Sequence, residues 1–118
     1  MPSTTNYKRG DLILVPFPFT DLSSTKQRPA LVISSDAFNS ARGDLLLAAI
    51  TSQIPPTLAD DELSIPPNEL AAYGLPKPSL IKLTKLVTLH QMLVVKRLGS
   101  LPPTTLNQVL AGIRQTLQ

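Results

Sequence analysis

Twelve prolines, ten of them gathered in pairs or near-pairs, set the tightest limit on how this chain folds. The pairs are Pro16/Pro18, Pro55/Pro56, Pro66/Pro67, Pro76/Pro78 and Pro102/Pro103. Proline has no N–H to give and a fixed φ, so a long helix does not run through it and a strand takes it only at its start or edge. At roughly twice its usual share of ~5%, it divides the chain into short segments. Those segments are apolar and β-prone. They predict strands at 12–15, 30–33, 45–50, 62–65, 79–83 and 87–95, with one helical turn from Ser34-Ser35-Asp36 through Phe38. The run Ala30-Leu31-Val32-Ile33 is apolar on both faces, as a central strand would be. This is the rhythm of a small barrel or sandwich with stiff loops.

The last segment breaks the pattern. Pro103 stands where a first helical residue tolerates the missing N–H. Leu106, Val109, Leu110, Ile113 and Leu117 then recur at helical spacing and predict one apolar stripe against the sheet. Gly112 inside the stripe allows a close approach.

At 118 residues, 42% of them hydrophobic, positions 1–118 fit a single folded domain. The chain has no cysteine, which excludes disulfides, zinc ribbons and thiolate catalysis. No apolar run follows Lys8-Arg9 as a signal peptide requires, and the longest apolar run, 45–50, is too short to span a bilayer. A cytoplasmic protein without a membrane partner is expected. The net charge is +3, but its distribution says more. No acid follows Glu69, whereas Lys77, Lys82, Lys85, Lys96, Arg97 and Arg114 do. Such asymmetry suits a polyanionic partner; a solvated basic surface accounts for it equally.

Most catalytic constellations are missing. One histidine, His90, cannot supply both acid and base of a two-histidine nuclease within one chain. Asp60-Asp61-Glu62 point in different directions along a loop, with no second carboxylate cluster to complete a metal site. No phosphate-binding loop, dinucleotide fingerprint or serine triad is present. Neither metal nor cofactor is expected.

One pair remains. If the second and third runs form an antiparallel hairpin with Ser34 opposite Leu45, the register places Arg28 opposite Thr51, with Cβ atoms about 4.5–5.5 Å apart. Pro29 holds Arg28 extended. RNA carries its own nucleophile in the 2′-hydroxyl, so its cleavage needs orientation and charge stabilisation. A guanidinium binds phosphate oxygens in bidentate fashion, and a threonine hydroxyl donates beside it. A structural arginine bonded to a strand-end threonine satisfies the same spacing. The stretch 17–27 adds Phe17, Phe19, Thr20 and Lys26, residue types that stack on and bond to unpaired bases; a phenylalanine plugging the core is the alternative.

Several stretches resemble the MazF/PemK family of type II toxin–antitoxin endoribonucleases, the mRNA interferases. They are Lys8-Arg9-Gly10-Asp11-Leu12-Ile13-Leu14-Val15-Pro16-Phe17-Pro18-Phe19-Thr20-Asp21, Thr25-Lys26-Gln27-Arg28-Pro29-Ala30-Leu31-Val32-Ile33-Ser34, Arg42-Gly43-Asp44 with Ala49-Ile50-Thr51-Ser52, Gly74-Leu75-Pro76-Lys77-Pro78-Ser79, and Arg97-Leu98-Gly99. The resemblance covers nearly the whole chain. It implies an SH3-like small β-barrel of MazF/PemK/CcdB type with a C-terminal helix, assembled as a homodimer. It also implies metal-independent cleavage of single-stranded RNA to a cyclic phosphate and a 5′-hydroxyl, and neutralisation by a cognate antitoxin peptide. On this match Arg28 and Thr51 fall on the family's catalytic pair; Arg9, Phe17, Thr20, Lys26, Ser52, Gln53, Lys82, Thr84 and Lys85 are the RNA contacts expected of a chain that cuts RNA with that pair. The sequence departs from the family where Thr84 and His90 replace acids and Val87 replaces a polar position. A binding module without catalysis, either gyrase-poison-like or an inactive toxin homologue that only pairs with an antitoxin, is the alternative.

Overall fold

A computed structural model describes residues 7–16 and 26–118. Phe17 and Thr20 lie outside the described residues. Six strands form one sheet: β1 (Asp11–Pro16), β2 (Gln27–Val32), β3 (Asp44–Thr51), β4 (Glu62–Ser64), β5 (Leu80–His90) and β6 (Lys96–Ser100). Their spatial order is β4-β5-β3-β2-β1-β6, every neighbouring pair antiparallel. Two α-helices complete the chain, α1 (Asp36–Arg42) and α2 (Pro103–Thr116). The protein is therefore mainly β with a C-terminal helix, as its proline spacing predicts. The closed ring implied by the barrel reading is not what the pairings draw: β4 and β6 stand at opposite ends of an open order.

Both faces of the central strands are buried. Leu12, Leu31, Ala48, Ile50 and Ile81 lie on one face under Val109 and Ile113 of α2. Ile13, Val15, Ala30, Val32, Leu45 and Leu47 form a second cluster, with Val87, Leu89, Val94 and Tyr7 against it. A bulge in β5 makes the second cluster possible. Between Ala48 and Ala49 the partner residue jumps from Leu86 to Lys82, and an excess of residues on one strand bends it. Gly112 gives the close approach expected of it, since a Cβ there would overlap the Leu83 side chain. Leu117, counted in the apolar stripe from its spacing, is instead exposed just beyond the last turn of α2.

The sequence reading needs three further corrections. The two strands expected at 79–83 and 87–95 are one strand, β5. It ends at His90, whose Nδ1 accepts from the Met92 N–H and caps a 3₁₀ turn over Gln91–Leu93. The apolar residues that follow are not strand; the polar β6 is, and it pairs with β1. The single helical turn after Ser34 is a seven-residue helix. Ser35 caps it by accepting from the Phe38 N–H, and Gly43 closes it at φ 74°, where a side chain would be strained. β2 begins at Gln27, three residues before its apolar run, because pairing with β1 continues out to Pro16 opposite Gln27.

Candidate functional site

Everything that positions the site follows from the β2–β3 register. Ala30 faces Ala49, Leu31 faces Ala48 and Val32 faces Leu47. The pairing ends at Ala30 and Ala49; continued two residues beyond it, the same register would bring Arg28 opposite Thr51. The flanking strands extend that row, with Val15 of β1 opposite Arg28 and Leu80 of β5 opposite Thr51. At the other end, Ser34 locks the register. Its hydroxyl accepts from the Leu46 N–H at 3.0 Å and donates to the buried Asn39 amide oxygen.

Arg28 is exposed and Thr51 half-buried, and both line one cavity of about 360 Å³ at the strand ends. Leu14, Pro29, Ile50, Leu75 and Leu98 form its apolar part. Gln27, Ser52, Lys77, Ser79 and Lys96 bring its polar groups. Strand alternation gives Arg28 and Thr51 one face of the sheet and Gln27, Pro29 and Ser52 the other; the cavity opens at the end, where the two sets meet. The Thr51 hydroxyl accepts from the Gln53 N–H at 3.1 Å. That contact leaves its own proton for an acceptor other than Gln53. The arrangement offers a guanidinium and an oriented hydroxyl donor at the mouth of an apolar hollow with a cationic rim.

The remaining expected contacts divide. Ser52 lines the cavity and Lys26 immediately precedes β2. Gln53 and Lys82 line a separate shallow hollow with Glu62, and there Lys82 is ion-paired to Glu62 at 2.9 Å. Lys85 is half-buried in the bulged part of β5. Arg9 belongs to the far end of the sheet. Its Nε donates to the Ile33 carbonyl, and its N–H donates to Asp36. The sheet thus separates Arg9 from the Arg28–Thr51 row.

Thr84 donates to the Asp61 carboxylate at 2.5 Å. A carboxylate from the turn before β4 therefore stands against the position that is itself not acidic. The Thr84 hydroxyl, ahead of every other influence, holds the Asp61 carboxyl below the usual aspartate range. Glu62 is lowered too, first by the Ala59 N–H and then by Lys82. A depressed carboxyl contributes stability that is present above its unfolded value and lost as pH falls through its folded one. Thr84→Val is therefore expected to raise the Asp61 titration midpoint toward the ordinary aspartate value and to flatten the acid limb of the stability profile, by removing stability that the parent chain holds only above that limb. Carboxyl-carbon NMR titration checks this, and an unchanged Asp61 midpoint would contradict it. Among the described residues no group of three or more histidine, cysteine or carboxylate side chains is placed to hold a metal ion.

Sequence reasoning missed Lys77, Ser79 and Lys96 as cavity residues. The first two lie in a stretch that the resemblance had marked, but nothing in the sequence placed that stretch beside the β2–β3 hairpin. Lys96 was out of reach while β6 went unrecognised.

Comparisons with known proteins bear on the same geometry. A family model described as PemK-like, MazF-like toxin of type II toxin–antitoxin system matches residues 8–117. Endoribonuclease MazF6 of Mycobacterium tuberculosis (strain H37Rv) is 31% identical over 93 residues, spanning 78% of this chain and 79% of that protein. Endoribonuclease MazF2 of Mycobacterium bovis is similar to the same degree, 31% over 93 residues with the same shares of each chain. Among solved structures, a mycobacterial endoribonuclease in complex with its cognate antitoxin superposes with a TM-score of 0.74 at 19% identity, over 94% of each chain. A MazE–MazF structure from Deinococcus radiodurans gives 0.72 at 21% identity, also over 94% of each. At such identities the structural likeness speaks for the fold.

Proposed function

Because this chain belongs to the PemK-like, MazF-like toxin family of type II toxin–antitoxin systems, we propose that it is the toxin of such a system. In this reading it is an endoribonuclease that cuts single-stranded RNA without a metal ion. The observation that supports this chemistry is that Arg28 and Thr51 line one cavity at the strand ends. The 2′-hydroxyl attacks the adjacent phosphorus and the bond to the 5′-oxygen breaks. A cyclic 2′,3′-phosphate remains on one fragment, and the departing oxygen takes up a proton to become a 5′-hydroxyl. Charge builds on the phosphoryl oxygens of the pentacovalent transition state. Arg28 meets it with a bidentate pair of N–H donors. Thr51, oriented by the Gln53 N–H, donates to a phosphate oxygen and fixes the scissile group in line.

The rest of the reading follows the same family. Residues 1–118 make a single toxin domain that acts in the cytoplasm, where messenger RNA is found. The bend in β5 and the burial of both sheet faces support a partly rolled, SH3-like barrel. The exposed apolar side chains Met92, Leu93 and Val95 between β5 and β6 support assembly as a homodimer. Ser52 and Lys26, next to the pair, are RNA contacts; Gln53, Lys82, Thr84 and Lys85 are contacts along a more distant stretch of the same strand. A cognate antitoxin would be an acidic segment that folds onto this basic surface as it binds.

Incubating the purified chain with single-stranded RNA in EDTA tests the proposal. Fragmentation is expected at full chelation. Intact RNA under EDTA, with cleavage restored by a divalent ion, would reject the metal-independent mechanism. Intact RNA under both conditions would favour a binding role.

A further inference from the structure

Of the six cations that follow Glu69, two have carboxylate partners among the described residues. Lys82 is paired with Glu62, and Arg97 lies 3.3 Å from the Asp11 carboxylate. Two lysines differ from these. Lys77 and Lys96 line the cavity beside Arg28 and Thr51, and among the described residues neither ammonium has a carboxylate within ion-pair distance. They reach the cavity from unrelated parts of the chain. Lys77 comes from the loop before β5. Lys96 comes from the edge strand β6, opposite Leu14, which in turn faces Pro29. Directly opposed residues share a face, so Lys96, Leu14 and Pro29 form one row across three strands. At about 4.8 Å per strand, Lys96 starts about 10 Å from β2. That is too far for it to duplicate the grip of Arg28 on one phosphate, and close enough to reach its neighbour.

Between these cations the floor is apolar: Leu14, Pro29, Leu75 and Leu98. A floor of this kind favours the flat, weakly polar face of a base over a second phosphate, which needs donors around it. The volume of about 360 Å³ is at the small end for ligand pockets and suits one nucleoside-sized group. The αL residue Gly74 (φ 65°) lines the cavity next to Leu75.

We propose that this cavity seats one unpaired nucleobase next to the scissile phosphate, with Lys96 and Lys77 holding the flanking phosphates. The assignment rests on the nuclease reading of the Arg28–Thr51 pair, and it gives that reading a place where base preference is set. Lys96 and Lys77 are binding groups. Their loss raises KM and leaves the chemical step nearly unchanged. Leu98 controls which base fits.

The test uses the full chain and a random-sequence pool of 2′-O-methyl oligoribonucleotides, which bind but lack the nucleophile. Lys96→Gln and Lys77→Gln are each expected to weaken binding about tenfold. Each should also lower the slope of log affinity against log salt by about 0.7, the value for one phosphate contact on a single strand. Arg42→Gln, on α1 at the far end of the sheet, should leave that slope unchanged. On cleavable RNA, Lys96→Gln should raise KM with kcat nearly intact, and Leu98→Trp should change which bases are tolerated beside the cut. Wild-type affinity and slope in both lysine variants, while the parent chain cuts RNA, would overturn the subsite and leave the nuclease reading standing. A slope lowered equally by Arg42→Gln would also overturn it, as diffuse charge. Weakened binding in the lysine variants of a parent chain that never cuts would keep the subsite and end the nuclease reading.

Discussion

Arg28→Ala is expected to lose at least about 10²–10³ of the cleavage rate, the usual effect of removing one preorganised donor to a transition-state oxygen. The loss should fall on kcat, because the guanidinium meets charge that exists only as the phosphorane forms. Arg28→Lys keeps the charge but not the planar fork, so it should recover only part of the rate. The fold should survive. Arg28 is exposed at the start of β2, and surface contacts of an arginine are worth about 0–1 kcal/mol. Circular dichroism and thermal melting should therefore match the parent chain. Cleavage at the parent rate by a folded Arg28→Ala variant would show that the charge is met elsewhere.

The second large effect lies at the opposite end of the same two strands. Asn39→Leu is expected to destabilise the protein by about 3 kcal/mol, because it strips buried polar groups of their partners. Asn39 is fully buried in α1. Its amide oxygen accepts from the Ser34 hydroxyl, and its Nδ2 donates to the Ser34 carbonyl at 3.3 Å and the Tyr7 carbonyl at 3.5 Å. Among the described residues no buried side-chain nitrogen or oxygen lacks a hydrogen bond, so a leucine here creates orphans where there were none. The melting temperature should fall by roughly 12 °C. Below that temperature kcat should stay near the parent value, since from Ile33 to Arg28 the strand runs about 17 Å. A loss below about 1 kcal/mol would mean that water or a rearranged Ser34 replaces the amide. The two variants are complementary: one loses rate and keeps stability, the other loses stability and keeps rate.

That contrast also shows what a sequence can disclose. The strands β2 and β3 were legible because Ala30 to Ile33 and Leu45 to Ile50 are apolar without interruption. Apolar on both faces, they do not fix their own register. It was counted outward from the Ser35–Asp44 connection and is held in the fold by Ser34 against the Leu46 N–H. The end of β5 and the whole of β6 were not. Met92, Leu93 and Val95 have strand-like composition but are exposed. Lys96 to Ser100 has none, yet it pairs with β1, with Ser100 donating to Asp11 at 2.6 Å and Arg97 ion-paired to the same carboxylate. Long-range polar contacts made that strand, and no local pattern carries them. The Arg28–Thr51 pair could be read because one hairpin builds it. Lys77 and Lys96 reach the same cavity through a loop and an edge strand, whose positions depend on the finished sheet. Asn39 was likewise hidden: short polar residues after a capping serine look like solvent-facing turn, and only the packing of α1 on β3 buries it.

Cleavage of an RNA carrying a single 2′-deoxy substitution at a mapped cut site tests most directly whether Arg28 and Thr51 serve attack by the substrate's own hydroxyl. In EDTA the unsubstituted RNA should be cut there to a cyclic phosphate and a 5′-hydroxyl, while the substituted strand stays intact at that position and is cut at others. Cleavage at the deoxy position, or fragments bearing a 5′-phosphate, would mean that water is the nucleophile and would contradict the mechanism.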